Sequence, residues 1–180
     1  VCSSDAGLVV HHALEVLGGN GTIEDMSPLP RLYREVPVQE SWEGPHGTLM
    51  AQLLRDAARA KMHASVTGAV EDVLVAVGDP ALAGLRHRAL TELDDTRARL
   101  DALLRGDPEL AAYHARGIFG RLGRLVQVAL LLEQANGDPD SRALGWLPAA
   151  AQLLLERRPE ETSAIADAEL PELVARILGG

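Results

Sequence analysis

A repeated tripeptide sets the strongest constraint on the fold. The sequence Gly-Asp-Pro occurs at residues 78–80, 106–108 and 137–139. Glycine accepts the left-handed conformation that closes a helix, aspartate supplies an N-cap oxygen, and proline suits the first helical position, where its missing N–H costs nothing. Each triplet therefore predicts the end of one helix and the start of the next. The intervening segments share no further repeat, which disfavours a solenoid.

Apolar residues between the triplets recur at helical spacing, as in Val66, Val70, Val73 and Val77. Aromatic residues make up only 3% of the 180 residues, and β-branched residues are sparse. We predict an all-α protein that packs as a helical bundle. The helices are expected at 5–17, 46–63, 65–77, 80–105, 108–135, 142–157 and 160–178. Glycines and prolines between residues 18 and 42 predict an irregular, functional loop there.

Composition excludes several classes of protein. The formal net charge of −9 disfavours nucleic acid as a partner, because such partners need a basic face. Cys2 is the single cysteine, so no internal disulfide or cysteine-based zinc site can form, and a reducing compartment is favoured. The six histidines lack metal-site spacing, and we predict no metal. No apolar run reaches about 18 residues, so we expect no membrane span and a soluble, cytoplasmic protein.

One predicted helix, 108–135, carries two further patterns. Gly117, Gly120 and Gly123 lie at three-residue spacing without a preceding strand, which favours close helix packing over a phosphate loop. Arg116, Arg121 and Arg124 interleave with these glycines. On an acidic chain such a stripe is typical of a solvated face rather than of a nucleic-acid site.

Four motifs follow one another between residues 13 and 44. A predicted helix ends in Gly-Gly-Asn-Gly at 18–21, an acidic loop with proline follows, Arg-Leu-Tyr-Arg occupies 31–34, and Trp-Glu-Gly occupies 42–44. This order resembles the C-terminal region of the acyl-CoA dehydrogenases, over residues 5–58. Beyond these residues the helical character and the segment from Arg124 to Glu133 resemble the C-terminally extended, alkylation-response branch of that family.

The resemblance implies a flavin enzyme. Glu43 takes the position of the family's catalytic base, which removes the α-proton of an acyl-CoA thioester while the β-hydrogen leaves as hydride to FAD. Desolvation against the flavin would raise the pKa of such a base. The resemblance further implies cofactor contacts at Gly18, Gly19, Gly44 and Pro45. In the family the Gly-Gly-Asn-Gly turn meets FAD of a neighbouring subunit, which implies a homo-oligomer.

Without the resemblance, the same residues have simpler interpretations. Glu43 would stabilise the N-terminus of the helix predicted at 46–63, and Gly-Gly-Asn-Gly would only stop a helix. The Arg-Leu-Tyr-Arg segment would pair with nearby carboxylates, namely those of Glu24, Asp25 and Glu35.

Three positions depart from the family pattern. Glu15 stands where glutamine is common, although glutamate is familiar in the alkylation-response branch. Thr22 replaces an aromatic residue, and Pro45 stands where threonine or serine is frequent. Because proline has no N–H to donate, cofactor contacts near residue 45 are where we expect a difference in flavin handling or a loss of activity.

The signature lies near the C-terminal end of the family's proteins but begins here at residue 13. We therefore expect a signature region at 1–63 and a helical extension at 64–180. The chain would be the C-terminal part of an acyl-CoA dehydrogenase, inactive alone, whose partners are an acyl-CoA substrate and the missing flavin domain. Two alternatives stay open: a DNA-associated alkylation-response protein of the same family, and a non-catalytic helical assembly module.

Overall fold

The structure, a computed structural model, describes residues 2–42, 44–138, 140 and 145–156. Seven α-helices lie within these ranges: α1 Cys2–Leu17, α2 Leu29–Ser41, α3 His46–Ala60, α4 Met62–Ala76, α5 Ala83–Arg105, α6 Pro108–Gly137 and α7 Trp146–Glu156. Short 3₁₀ helices occupy Gly18–Thr22 and Pro80–Leu82. No strand occurs in the described ranges, which confirms the all-α prediction. The helix predicted at 160–178 lies outside them.

The predicted irregular loop at 18–42 is wrong over most of its length, because α2 occupies Leu29–Ser41. Its two prolines are accommodated rather than avoided. Pro30 lies in the first turn, where helix N–H groups have no intrahelical partner. The Ser27 hydroxyl oxygen accepts a hydrogen bond from the Leu29 N–H at 3.0 Å. Past Pro37, which lies inside the helix, the Ser41 hydroxyl donates to the Pro37 carbonyl at 2.7 Å.

The chain divides into two compact units, Val1–Leu53 and Leu54–Gly180. In the first unit α1 and α2 form an antiparallel pair. Gly7 on α1 meets Val36 on α2, and His11 meets Tyr33, with ring centroids 6.0 Å apart. The 3₁₀ turn packs on both helices. The predicted division at residue 63 stays a prediction.

Helices α4, α5, α6 and α7 form the bundle of the second unit, and each packs against at least two of the others. Leu74, Leu93, Leu100 and Leu132 are fully buried in its core. A buried leucine contributes about 1.5–3 kcal/mol through the area that it removes from water. Thr67 and Thr96 are also buried, and each donates its hydroxyl to a carbonyl one turn earlier.

The Gly-Asp-Pro triplets lie at the predicted boundaries. Asp79 caps the helix that begins at Pro80, since its carboxylate accepts a hydrogen bond from the Ala81 N–H at 2.7 Å. Helix α6 begins at Pro108 and ends at Gly137. The expected left-handed glycine is wrong at all three triplets, because none of Gly78, Gly106 and Gly137 has a positive φ. Gly106 is extended at φ −85° and ψ −165°. There the Gly106 N–H donates to the Leu103 carbonyl at 3.2 Å and closes the helix without a positive φ.

Helices α3 and α4 are separated by a single residue, Lys61, at φ +53°. The predicted break near residue 64 therefore lies three residues too late. Lys61 occupies the left-handed region without being glycine, a conformation that costs about 1–2 kcal/mol for an L-residue.

The two patterns on α6 have different outcomes. A Cβ built on Gly120 has no atom within 4 Å, so the predicted close helix packing is wrong at that position. Arg116 is exposed. Arg121 does not belong to a solvated face, because its Nε lies 2.7 Å from the Glu92 carboxylate and its Nη1 lies 2.8 Å from that of Asp95. Arg121 therefore joins α6 to α5.

Candidate functional site

The Gly-Gly-Asn-Gly segment forms the turn that ends α1. Gly18 has φ +56°, the left-handed conformation expected of a helix stop. A Cβ built on Gly18 or Gly19 would have no atom within 4 Å, so the backbone of these two residues is open to an approaching molecule. Gly21 faces inward, and a Cβ there would lie 2.7 Å from the Leu14 carbonyl oxygen. The turn thus presents one open side and one packed side.

Thr22 has a local role in this turn. Its hydroxyl donates to the Gly19 carbonyl at 2.9 Å. An aromatic residue at this position could not close the turn in this way. At position 22 this chain therefore has a hydrogen bond that closes the turn, where the family commonly has an aromatic ring.

The four residues of the Arg-Leu-Tyr-Arg segment in α2 are all exposed. Arg34 forms an ion pair with Glu24 of the preceding loop, which confirms the predicted carboxylate pairing for this arginine. Both side chains are more than half exposed, so the pair contributes little to stability. Tyr33 contacts His11 of α1 instead of a carboxylate.

Gly44 and Pro45 connect α2 to α3. Gly44 has φ +118°, a conformation that L side chains rarely adopt, and its N–H donates to the Ser41 carbonyl at 3.0 Å. The Pro45 carbonyl accepts hydrogen bonds from the N–H groups of Thr48 and Leu49, at 2.9 and 3.2 Å. Pro45 therefore precedes the first turn of α3, where a missing donor costs nothing.

Glu43 lies outside the described residues. Before it in the chain, α2 ends at Ser41, and after it Gly44 has φ +118°. Trp42 is 77% exposed. The role of Glu43 as a base stays a prediction.

The predicted cofactor contacts lie at opposite ends of the α1–α2 pair. Gly18 and Gly19 follow the end of α1, whereas Gly44 and Pro45 follow the end of α2. Because the helices are antiparallel, one helix length separates these ends, about 15–20 Å at 1.5 Å per residue. The structure therefore does not bring the four residues together around one small group.

The first unit also exposes large apolar side chains, as expected of a helical region that lacks its partner domain. They are Leu8, Val9, Val16, Leu17, Ile23, Met26, Leu32, Tyr33, Val38 and Trp42. Isolated exposed apolar residues are ordinary, whereas this many within about 35 residues is unusual for a soluble domain. A signal was present in α1, whose apolar residues are spread around more than one face.

The second unit contains a small cleft lined by Glu92, Arg121, Arg124, Leu125, Val128, Leu154 and Leu155. It encloses about 20 Å³, which is room for one water molecule. Glu92 is engaged by Arg121. An acyl-CoA does not fit this cleft.

Within the described ranges, no three histidine, cysteine or acidic side chains lie close enough to hold a metal ion. No helix there has the length and apolar character needed to cross a membrane.

Comparison with known proteins agrees with the motif order. The family model described as "Acyl-CoA dehydrogenase, C-terminal domain" matches residues 1–58. Residues 1–58 are therefore similar to the C-terminal domain of acyl-CoA dehydrogenases. This region contains the turn at Gly18–Thr22, helix α2 and the connection at Gly44 and Pro45.

A curated relative gives the same result. "Putative acyl-CoA dehydrogenase AidB" of Escherichia coli (strain K12) is 52% identical over 46 residues. The matched stretch makes up 26% of this chain and 8% of that relative, so the chain spans a small part of AidB. No solved structure matches the chain.

Proposed function

We propose that the protein containing this chain catalyses the α,β-dehydrogenation of an acyl-CoA thioester with FAD, and that Glu43 is the catalytic base. One observation carries the proposal: the family match over residues 1–58 includes all four motifs in their order, from Gly-Gly-Asn-Gly to Trp-Glu-Gly. The chain supplies this region of the site, and we expect it to be inactive without a flavin domain.

The role of Glu43 follows from the chemistry of the reaction. The α-C–H of a thioester is a weak acid, so its removal needs a carboxylate of raised basicity in a water-poor position. Glu43 takes the α-proton, and the product is an enoyl-CoA. Gly44 at φ +118° gives the chain its abrupt turn directly after the base. A larger residue at 44 would strain this turn and move the carboxylate.

The residues of the region fit FAD. The backbone of Gly18 and Gly19 is open, with nothing within 4 Å of a built Cβ, so a large ligand can approach the main chain closely. Gly44 and Pro45 would contact the cofactor beside the base. When bound, FAD accepts the hydride that leaves the β-carbon.

The separation of these contacts supports a homo-oligomer. Gly18 and Gly19 lie about 15–20 Å from the end of α2, given the rise per residue of a helix. We propose that Gly18 and Gly19 of one copy serve the cofactor of another copy, while Gly44 and Pro45 serve their own. The exposed apolar side chains of the first unit, including Trp42, would then be covered by the flavin domain and the second copy.

Two alternatives have less support. A DNA-associated role is opposed by the net charge of −9. A non-catalytic assembly module would need the apolar surface of the first unit but not Glu43. The experiment below separates this module from the enzyme.

The test uses the complete protein that contains this chain, purified with bound flavin. Straight-chain acyl-CoAs of several lengths are added under anaerobic conditions, and flavin bleaching is followed by absorbance. Glu43→Gln should lower the rate of flavin reduction by about 10²–10⁴-fold, the usual contribution of a general base. The matched control is Glu35→Gln on the exposed side of α2, which should leave the rate unchanged.

The outcomes are distinct. An unchanged rate in Glu43→Gln would show that another group is the base. Wild-type flavin that no acyl-CoA reduces would contradict the enzyme and favour the assembly module.

A further inference from the structure

Helix α1 approaches α2 closely at Gly7. A Cβ built on Gly7 would lie 2.9 Å from Cγ1 of Val36 and 3.9 Å from Oε1 of Glu40. A separation of 2.9 Å is shorter than carbon atoms tolerate, since their optimal distance is about 3.5–4.0 Å. Only glycine therefore permits the observed approach. Val36 is half-buried and β-branched, so its rotamer cannot turn away easily.

The contact lies beside the weakest point of α2. Pro37 has no N–H, so the helix lacks the hydrogen bond that residue 37 would donate to the Tyr33 carbonyl. A side chain at position 7 would face α2 on both sides of this gap, at Val36 before it and at Glu40 after it. The last turn of α2 therefore depends less on backbone hydrogen bonds and more on packing against α1.

The last turn of α2 leads directly into the residue proposed as the base. Ser41 and Trp42 end the helix, and the next residue is Glu43. A displacement of α2 after Pro37 would move Ser41, which lies two residues before position 43 in the sequence. No group of Gly7 touches a substrate, so its effect would be indirect.

We infer that Gly7 is a positioning residue for the reaction. Because Gly7 has no side chain, α1 packs closely against α2, and this packing orients the last turn of α2, which precedes residue 43. The inference rests on the proposed function, because it presumes that Glu43 is the base. A methyl group at position 7 should push α2 away at Val36. A displacement of about 1 Å at a reacting group can lower a rate by about 10²-fold.

The test compares four forms of the complete, flavin-loaded protein: wild type, Gly7→Ala, the double variant Gly7→Ala with Val36→Ala, and Gly84→Ala. In the double variant the clashing Cγ1 is removed. Gly84 is a matched control, because it lies in α5 and a Cβ there has nothing within 4 Å. Single-turnover flavin reduction by an acyl-CoA gives a rate constant and an amplitude for each form.

The expected result is a rate constant lowered by about 10- to 100-fold in Gly7→Ala, largely restored in the double variant and unchanged in Gly84→Ala. The amplitude should stay constant, whereas a purely structural defect would lower the amplitude through loss of folded protein. An α-deuterated acyl-CoA should show a larger isotope effect on the rate constant in Gly7→Ala. The reason is that a slower proton removal limits the observed rate to a greater extent.

Hydrogen exchange followed by mass spectrometry gives a readout that does not depend on activity. Peptides covering residues 37–42 should exchange faster in Gly7→Ala and recover in the double variant. If wild type reduces its flavin but Gly7→Ala does so at the wild-type rate, the role of Gly7 is wrong and the proposed function stands. If wild type shows no flavin reduction with any acyl-CoA, the proposed function itself is overturned.

Discussion

The side chain of Asn136, near the end of α6, binds the backbone of Gly78, which lies 58 residues earlier. Its Oδ1 accepts hydrogen bonds from the N–H groups of Gly78 and Asp79, both at 3.0 Å. These donors lie between α4 and the 3₁₀ helix that Asp79 caps. One amide oxygen therefore fixes the connection between α4 and α5 against the end of α6.

Asn136→Ala should therefore lower the free energy of unfolding by about 1–3 kcal/mol, because it leaves two backbone donors without their acceptor and one of them is partly buried. Asn136→Asp keeps an acceptor in place and should cost less. Urea unfolding followed by circular dichroism measures both values. Equal losses in the two variants would show that these hydrogen bonds do not carry the effect.

Lys61 is the residue whose replacement should stabilise the protein. Its φ of +53° is unfavourable for any residue with a Cβ. Lys61→Gly relieves the conformation and should raise the free energy of unfolding by up to about 1 kcal/mol, after the greater chain entropy of glycine in the unfolded state is subtracted. Lys61→Ala is the control, since it removes the charge but keeps the Cβ. Denaturant midpoints that rise equally in both variants would attribute the gain to the charge.

Arg121 and Arg116 lie on the same helix and should respond differently to substitution by glutamine. Arg121 contacts two carboxylates on α5, whereas Arg116 is exposed. Arg121→Gln should cost about 1–3 kcal/mol, because a partly buried network loses its cation. Arg116→Gln should stay within about 0.5 kcal/mol. Thermal unfolding of the two variants, side by side, decides whether Arg121 has the interhelical role.

Local signals in the sequence predicted much of the fold correctly. The cap at Asp79 and the start of α6 at Pro108 depend on residues adjacent in the chain, so their side-chain chemistry indicates them directly. Helix α2 was missed because prolines argue against a helix in a sequence. Here Pro30 lies in the first turn, where it costs nothing, and Pro37 removes only one backbone hydrogen bond. Ser27 accepts at its start and Ser41 donates past Pro37, and neither hydrogen bond has a sequence signature strong enough to outweigh three prolines.

The long-range features could not be predicted. Lysine has no preference for a positive φ, so its residue type does not predict the break at Lys61, which we attribute to packing. The motif order identified the candidate site. In the structure Gly44 and Pro45 form the connection between α2 and α3. The residues predicted to contact the cofactor lie at two ends of a helical pair only because α2 is a helix. This part of the site therefore required the structure.

Gly19 offers a test of cofactor contact that is free of internal clashes. Its φ is not positive, it is exposed, and a built Cβ meets nothing within 4 Å. Gly19→Val should therefore change the stability of the chain by less than about 1 kcal/mol. If FAD approaches this backbone as proposed, the same substitution should weaken flavin binding by about tenfold or more, because the added side chain occupies the path of the ligand.

Flavin content after dialysis and a fluorescence titration with FAD would measure this loss in the complete protein. Gly84→Val is the matched control, since its Cβ is equally open and lies in the other unit. Because Gly19 is proposed to serve the cofactor of another copy, mixing subunits of Gly19→Val with subunits of Glu43→Gln should restore a fraction of active sites. Affinity equal to wild type in Gly19→Val would show that the turn is a helix stop and nothing more.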